Sequence, residues 1–227
     1  IAGSAIQLLC AGDNGKVLTE YENGELWMKG DLSNTSTYFE LKEIVNVEDN
    51  KAPMPYFTYV ITNKNTGKVL SNGGSKENNA KIIVEEAKDK DFGQMWKLSI
   101  PIYQTGATTW FQLLNETCGK CIDCAFESGG KPLQWSQSMD ESNANWNQMF
   151  EILEVEGVED TYQFKVGKNV GSKWSPQFEY YYLAVSADKQ VYLTTEASST
   201  DTHFTFTKVN NDNLPQGLFW QDEKVFG

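Results

Sequence analysis

Cys118, Cys121 and Cys124 are each separated by two intervening residues, and that spacing is one that metal and redox motifs use. A structural zinc site needs four ligands. Only Cys10 and His203, both distant in sequence, remain to complete one. A single strand also turns successive side chains to opposite faces, so three thiolates on one strand cannot all point inward. We therefore expect no bound metal, and read a local disulfide among the three as the alternative in a secreted chain. The one histidine, His203, sits beside an aromatic residue, which disfavours a Ser-His-Asp or Cys-His arrangement. Glu85 and Glu86 are adjacent, and neighbouring strand residues face opposite ways, which spoils a general acid/base pair. The run Asn72-Gly73-Gly74 lies between two apolar segments rather than ahead of a helix, so it is no phosphate cradle. These residues predict no catalytic group and no cofactor.

The charge balance narrows the partners. The chain of 227 residues has 31 acidic residues against 19 basic ones, a net charge of −12, and every basic residue is lysine. Arginine is the preferred fork for phosphates and guanine edges, so its absence argues against nucleic acid. The acidity argues equally against anionic membrane surfaces. Otherwise it serves solubility. No segment is apolar enough to span a membrane, and no signal peptide is visible, so we expect any leader to have been removed or never to have existed.

The elements that would position any site recur along the chain. Four stretches end alike: Tyr38-Phe39-Glu40-Leu41, Gln94-Met95-Trp96-Lys97-Leu98, Gln148-Met149-Phe150-Glu151-Ile152 and Thr202-His203-Phe204-Thr205-Phe206. Their anchoring aromatics are 57, 54 and 54 residues apart. A fixed period of this size marks a repeat architecture. Each repeat opens on an alternating segment, such as Tyr56-Phe57-Thr58-Tyr59-Val60-Ile61 or Trp110-Phe111-Gln112-Leu113-Leu114. Two shorter apolar runs follow, such as Gly67-Lys68-Val69-Leu70 and Lys81-Ile82-Ile83-Val84. Each repeat thus reads as four short strands bounded by Asn, Gly, Asp and Ser. Residues 76–90 are too broken by Asn and β-branched residues to be a helix. Residues 18–44 align without a gap on 183–209, and both are expected to carry a tight two-residue hairpin, with Asn23-Gly24 favouring a type I′ turn in the first. The middle repeats instead carry longer Gly-rich connections, Ser71-Asn72-Gly73-Gly74-Ser75 and Glu127-Ser128-Gly129-Gly130.

The middle pair carries a resemblance. Gly67-Lys68-Val69-Leu70, Asn79-Ala80-Lys81-Ile82 and Gln94-Met95-Trp96 resemble, in order, one repeat of the ricin-type β-trefoil lectins. So do Gly119-Lys120-Cys121-Ile122-Asp123, Pro132-Leu133-Gln134-Trp135 and Asn147-Gln148-Met149-Phe150. The resemblance is good over residues 56–153 and weaker over 5–45 and 160–209. It implies an all-β fold, a β-trefoil of roughly 54-residue four-strand repeats. Four repeats are detected, one more than a single trefoil needs. The arrangement that fits best makes residues 56–209 the trefoil and 210–227 a tail. Residues 1–55 then form an extra repeat, packed on it or closing a preceding trefoil. The mirror arrangement makes 5–153 the trefoil, and a four-bladed ring fits the counts but not the motifs. The Gln-x-aromatic endings read as structural: the aromatic plugs the core and the Gln satisfies buried backbone groups.

In this family the repeat's Asp grips vicinal sugar hydroxyls, an aromatic on the third strand stacks on the sugar, and amides before the final aromatic add hydrogen bonds. A carboxylate accepts two charge-assisted bonds from adjacent hydroxyls, and a ring offers a flat apolar surface to a pyranose. Only the third repeat keeps this set. The resemblance places Asp123 at the Asp position and Trp135 at the stacking position, with Gln134, Gln137, Asn145, Asn147 and Gln148 as amide candidates. Ser71, Thr19 and Ala184 hold the Asp position elsewhere. The alternative makes Asp123 a surface turn residue and Trp135 a core residue. Ricin-type repeats often bridge the Cys121 position to a Cys after the aromatic; Ser136-Gln137-Ser138 stands there, so that bond is absent. Two sequons, Asn34-Thr35-Ser36 and Asn115-Glu116-Thr117, would matter only in a eukaryotic secretory source. The expected function is a non-enzymatic carbohydrate-binding module of a secreted or surface protein, which binds a glycan or polysaccharide, no nucleic acid, and gains avidity from oligomers or linked domains. The competing readings are a protein-binding trefoil, as a protease inhibitor or adhesion scaffold, and a structural accessory domain of a larger enzyme.

Overall fold

The computed structural model describes residues 5–6, 17–20, 26–29, 39–40, 53–54, 57–99, 110–138, 146–172, 174–210 and 213–214. The chain divides into two units, Ile1–Asp49 and Asn50–Gly227. In the first, β1 (Ala5–Ile6) pairs with β4 (Phe39–Glu40), and β2 (Val17–Glu20) pairs with β3 (Leu26–Lys29), all antiparallel. The Asn23-Gly24 turn and the Asn34 sequon lie outside the described residues.

The second unit runs through β5 (Thr58–Asn63), β6 (Val69–Ser71), β7 (Ile83–Glu85) and β8 (Met95–Ser99). It continues with β9 (Gln112–Asn115), β10 (Cys121–Asp123), β11 (Leu133–Trp135) and β12 (Phe150–Glu154). It ends with β13 (Tyr162–Asn169), β14 (Phe178–Val185), β15 (Val191–Thr194) and β16 (Phe204–Lys208). Among the described residues there is no α-helix, only short 3-10 turns.

Pairing follows the repeat. The first strand of each four-strand group pairs with its fourth: β5 with β8, β9 with β12 through Phe111 and Phe150, and β13 with β16. The fourth then pairs with the first strand of the next group: β8 with β9, β12 with β13, and β16 back to β5. Six strands therefore close a barrel with no free edge between them. The Val209 N–H donates to the Thr58 carbonyl at 2.8 Å, so the two ends of this barrel meet. The remaining strands form three hairpins, β6–β7, β10–β11 and β14–β15. This is a β-trefoil.

The anchoring aromatics occupy one kind of place. Trp96 pairs with Asn115, Phe150 with Val166, and Phe204 with Asn63, each on the next group's first strand. All three are fully buried, as are Ile61, Leu113 and Phe164 from the first strands and Leu70, Ile122 and Leu183 from the hairpins. The side chains alternate along β8: Trp96 and Leu98 point in, Lys97 and Ser99 are half-exposed. Trp96 also donates its Nε1–H to the Leu70 carbonyl at 3.0 Å. The Gln of each Gln-x-aromatic ending does backbone work. Gln94 accepts from the Lys88 N–H and donates to the Glu86 carbonyl, both at 2.8 Å.

The fourth-repeat hairpin differs from expectation. The Ser186 N–H donates to the Gln190 carbonyl at 3.0 Å, so three residues, not two, form the connection. A type I′ turn needs positive φ at both central residues, and here only Lys189 has it, at 66°. The Lys189 N–H returns to the Ser186 carbonyl at 2.8 Å. That is a type I turn closed by one left-handed residue.

Candidate functional site

The candidate site sits on the β10–β11 hairpin. Its register pairs Cys121 with Trp135, Ile122 with Gln134 and Asp123 with Leu133. Cross-strand partners share a face, so Asp123, Leu133, Cys121 and Trp135 lie on one side, and Ile122 and Gln134 on the other. Trp135 is 44% exposed and therefore a surface ring, not a core residue. Asp123 is only 7% exposed and therefore no ordinary surface turn residue.

The Asp123 carboxylate is held from two sides. Oδ1 accepts from the Ala125 N–H at 2.8 Å, and Oδ2 accepts from Gln148 Nε2 at 3.0 Å. The first bond fixes the chain as it leaves β10, where Ala125 takes a left-handed φ of 39° before the 3-10 turn Phe126–Ser128. Gln148, fully buried, also donates to the Ser136 carbonyl at 3.0 Å and accepts from the Ser138 N–H at 2.8 Å and from Gln112 at 3.3 Å. It thus clamps the Asp123 carboxylate to the chain beyond β11.

The other amide candidates part company. Gln134 is fully buried on the inward face. It donates to the carbonyls of Ser75 and Glu77 at 3.0 and 2.9 Å and accepts from Asn72 at 2.7 Å. This corrects its assignment as a ligand-facing amide: its hydrogen bonds tie the Gly-rich connection of the preceding repeat to β11. Gln137 is half-buried and donates to Gln112 Oε1 at 2.8 Å. Asn147 is half-buried and donates to Glu127 Oε2 at 2.9 Å. Asn145 lies outside the described residues. Glu127 is the residue that sequence reasoning missed. It belongs to the quoted Gly-rich connection, and the structure brings its exposed carboxylate to Asn147.

The equivalent places in the other groups are filled differently. Glu85 pairs with Val69 as Trp135 pairs with Cys121, so a carboxylate replaces the ring. Lys88 bonds Glu85 and lies 3.6 Å from Asp91. The Lys88 hydrogen bond, with help from Ser71, holds the Glu85 carboxyl below its ordinary range. Glu86 turns instead to Lys68, so the two adjacent carboxylates have separate partners. In the last group, buried Ala184 pairs with Tyr192. The Tyr192 hydroxyl donates to Asp201 at 2.7 Å, and burial, then that bond, pushes it up to about 12.

Cys118, Cys121 and Cys124 are free thiols. Cys118 Sγ points at Gln134 Oε1 and Cys121 Sγ at the Trp135 carbonyl, each at 3.5 Å. Burial raises all three, and raises Cys121 and Cys124 furthest, with the Asp123 charge adding to both. Among the described residues, no three His, Cys, Asp or Glu side chains gather in a way that could hold a metal ion. Thiolates are the reactive form, so alkylation of the native protein at pH 8 is expected to label Cys118 at least tenfold faster than Cys121 or Cys124 (roughly, from their burial). Peptide mass spectrometry after timed iodoacetamide treatment measures this. Equal labelling would contradict the buried, protonated state. Burial also removes the second sequon: Asn115 is fully buried and donates to the Gly93 carbonyl at 2.9 Å, so the fold leaves it no room for a glycan.

Residues 39–135 match the family model described as ricin-type beta-trefoil lectin domain-like. Over that stretch, less than half of its length, the chain is similar to the ricin-type β-trefoil lectins. No curated protein matches the chain. Among solved structures, the BEL β-trefoil is 12% identical with a TM-score of 0.51, and the match covers 69% of this chain and 96% of that one. At that identity the likeness shows the fold. A ricin B-like lectin of Macrolepiota procera, solved with lactose, is 17% identical with a TM-score of 0.47, covering 68% and 97% of the two chains. An exo-β-1,3-galactanase from Clostridium thermocellum is 20% identical with a TM-score of 0.49, covering 86% of this chain and 38% of the enzyme. This chain therefore matches little more than a third of the galactanase's length. In this trefoil the Gln-x-aromatic endings are scaffold, with Trp96, Phe150, Gln94 and Gln148 all buried.

Proposed function

We propose that this chain is a non-catalytic carbohydrate-binding module of a secreted or surface protein, with one pocket, on the β10–β11 hairpin. Residues 56–209 form the module, residues 1–55 add a further repeat, and residues 210–227 are a tail. The observation that carries the reading is that an exposed Trp135 and a clamped Asp123 share one face of one hairpin. Trp135 supplies the flat apolar surface for a sugar ring. Asp123 accepts hydroxyl hydrogens, while Asn147 and Glu127 stand at the neighbouring 3-10 turns as further polar partners.

A glycan array tests this, followed by calorimetry with a binding sugar. Asp123→Ala removes charge-assisted bonds of roughly 1.5–3 kcal/mol, so binding should weaken at least tenfold. Trp135→Ala should weaken it too, and because Trp135 is exposed, that variant separates loss of binding from loss of fold. Ser71→Ala, in the filled second repeat, should leave affinity unchanged. A stoichiometry near three, or full affinity in both hairpin variants, would place the pocket elsewhere. Silence on every glycan together with inhibition of a protease would favour a protein-binding trefoil.

A further inference from the structure

Among the described residues, the threefold scaffold departs from its pattern at β13 and β14. β13 and β14 each run eight residues, where their counterparts β9 and β10 run four and three. The extra length makes a hairpin, paired from Lys165–Tyr182 to Asn169–Phe178. Its tip is tightly built. The Val170 N–H donates to the Gln177 carbonyl at 2.7 Å, and Asn169 Oδ1 accepts from the N–H groups of Gly171 and Gln177. A Cβ at Gly171 would come within 2.4 Å of the Ser175 carbonyl oxygen.

This hairpin carries rings that the barrel does not use. Phe178 and Tyr180 alternate on one face of β14, with centroids 6.2 Å apart and planes within 28° of parallel. They lie across β13 at Gly167, where an added Cβ would sit 2.9 Å from Phe178 Cδ1 and 3.5 Å from Tyr180 Cε1. Glycine at that position lets the rings lie low against the sheet. Trp146 meets Phe178 edge-on, 4.7 Å away with planes at 69°, and Trp110 meets Trp146 edge-on at 6.5 Å and 75°. Lys165 Nζ sits 4.2 Å from the Tyr180 centroid and is itself paired with Glu151 at 3.0 Å, which steadies the ring. Tyr180 is 42% exposed, and Trp174 at the tip is 89% exposed. Phe178, Trp146 and Trp110 are half-buried behind Tyr180, and a ring cluster with one ring open to solvent marks an interaction surface.

We propose that this aromatic strip is a second glycan-binding surface, distinct from the β10–β11 pocket, and that it takes a neutral polysaccharide chain. A protein partner is held by anchors in desolvated pockets. Here Phe178 and Tyr180 lie nearly parallel and offer a two-ring platform, with the two tryptophans edge-on behind it. Two near-parallel rings side by side match the apolar faces of adjacent sugars in a polymer rather than one terminal sugar. The net charge of −12 and the lack of arginine disfavour sulfated or uronic chains. The strip also abuts the pocket's own chain, since Trp146 directly precedes Asn147 and Gln148. Only the class of ligand is shared with the proposed function.

Native gel electrophoresis through neutral xylan, mixed-linkage β-glucan or galactomannan provides the test. The whole chain should be retarded by at least one of the three polymers. Tyr180→Ala should reduce that retardation at least fivefold, and Tyr180→Phe, which keeps the ring, should restore it. Phe92→Ala, which removes an exposed ring from another turn, should change nothing. A Tyr180→Ala protein that runs like the parent, or a parent retarded by none of the three polymers, overturns the strip. The pocket is tested separately, with short glycans and the Asp123 variant, so either assignment can fail without the other.

Discussion

Replacing Trp96 with alanine is expected to lower the unfolding midpoint by roughly 6–20 °C, measured by calorimetry or circular dichroism. Trp96 is fully buried at the centre of the barrel, between Tyr59 on β5 and Asn115 on β9. Truncating a buried aromatic costs about 3–5 kcal/mol, because the cavity only partly collapses. In a unit of this size each kcal/mol moves the midpoint by about 2–4 °C. The indole N–H also leaves, and the Leu70 carbonyl loses its partner. Trp96→Phe separates the two contributions, since it keeps most of the volume and drops only the hydrogen bond. A fall of less than about 3 °C in Trp96→Ala would mean that the ring is not a core plug.

Gln148→Leu is the second large effect. The amide makes four hydrogen bonds in a buried place, to Asp123, Ser136, Ser138 and Gln112. Leucine fits the volume but answers none of them. Each buried group left unpaired costs about 1–3 kcal/mol, and neighbouring groups repair part of the loss, so a net destabilisation of about 3 kcal/mol is expected. Chemical denaturation reads it as a lower midpoint at unchanged slope. The same change frees the Asp123 carboxylate from its clamp, so glycan affinity should fall with stability even though leucine never touches the ligand. Gln148→Glu is the informative companion. It keeps the shape but sets a second carboxylate against Asp123 Oδ2, and should be at least as damaging at neutral pH. A Gln148→Leu protein with parental stability would remove the clamp from the account.

The repeat scheme was legible in the sequence because its signal is local. Trp96, Phe150 and Phe204 recur at a fixed period, and the strand pairing places all three at the same cyclic step. The structural role of Gln94 was legible for the same reason, whereas Gln148 was read both as scaffold and as a sugar-facing amide, and its full burial leaves it the scaffold role. Gln134 was not. Two residues of β11 compete for the inward face, and an apolarity rule would choose Leu133. The partners that decide the matter, the Ser75 and Glu77 carbonyls, belong to a different repeat, and no local pattern reveals them. The β13–β14 extension was likewise missed. The alternating segment at 162–166 and the apolar run at 181–183 were both visible. The pairing that extends them to Asn169 and Phe178 depends on Gly167 making room for rings on the facing strand, which is a relation between two strands rather than within one.

The hydrogen bond from Val209 to Thr58 makes the trefoil, in topological terms, a ring rather than a line. The polypeptide enters and leaves the barrel at neighbouring points, and no strand pairing records which group was synthesised first. Moving the opening of the ring to another connection would preserve every pair of strands. The same geometry sets the kinetics of assembly. Pairings within one group span a few dozen residues, whereas β16 must find β5 from the far end of the module, and such distant closures are slow because chain entropy is lost before the contact is gained. The seam between β5 and β16 is therefore where a nascent chain waits longest, with its hydrophobic core open until the last strand has emerged.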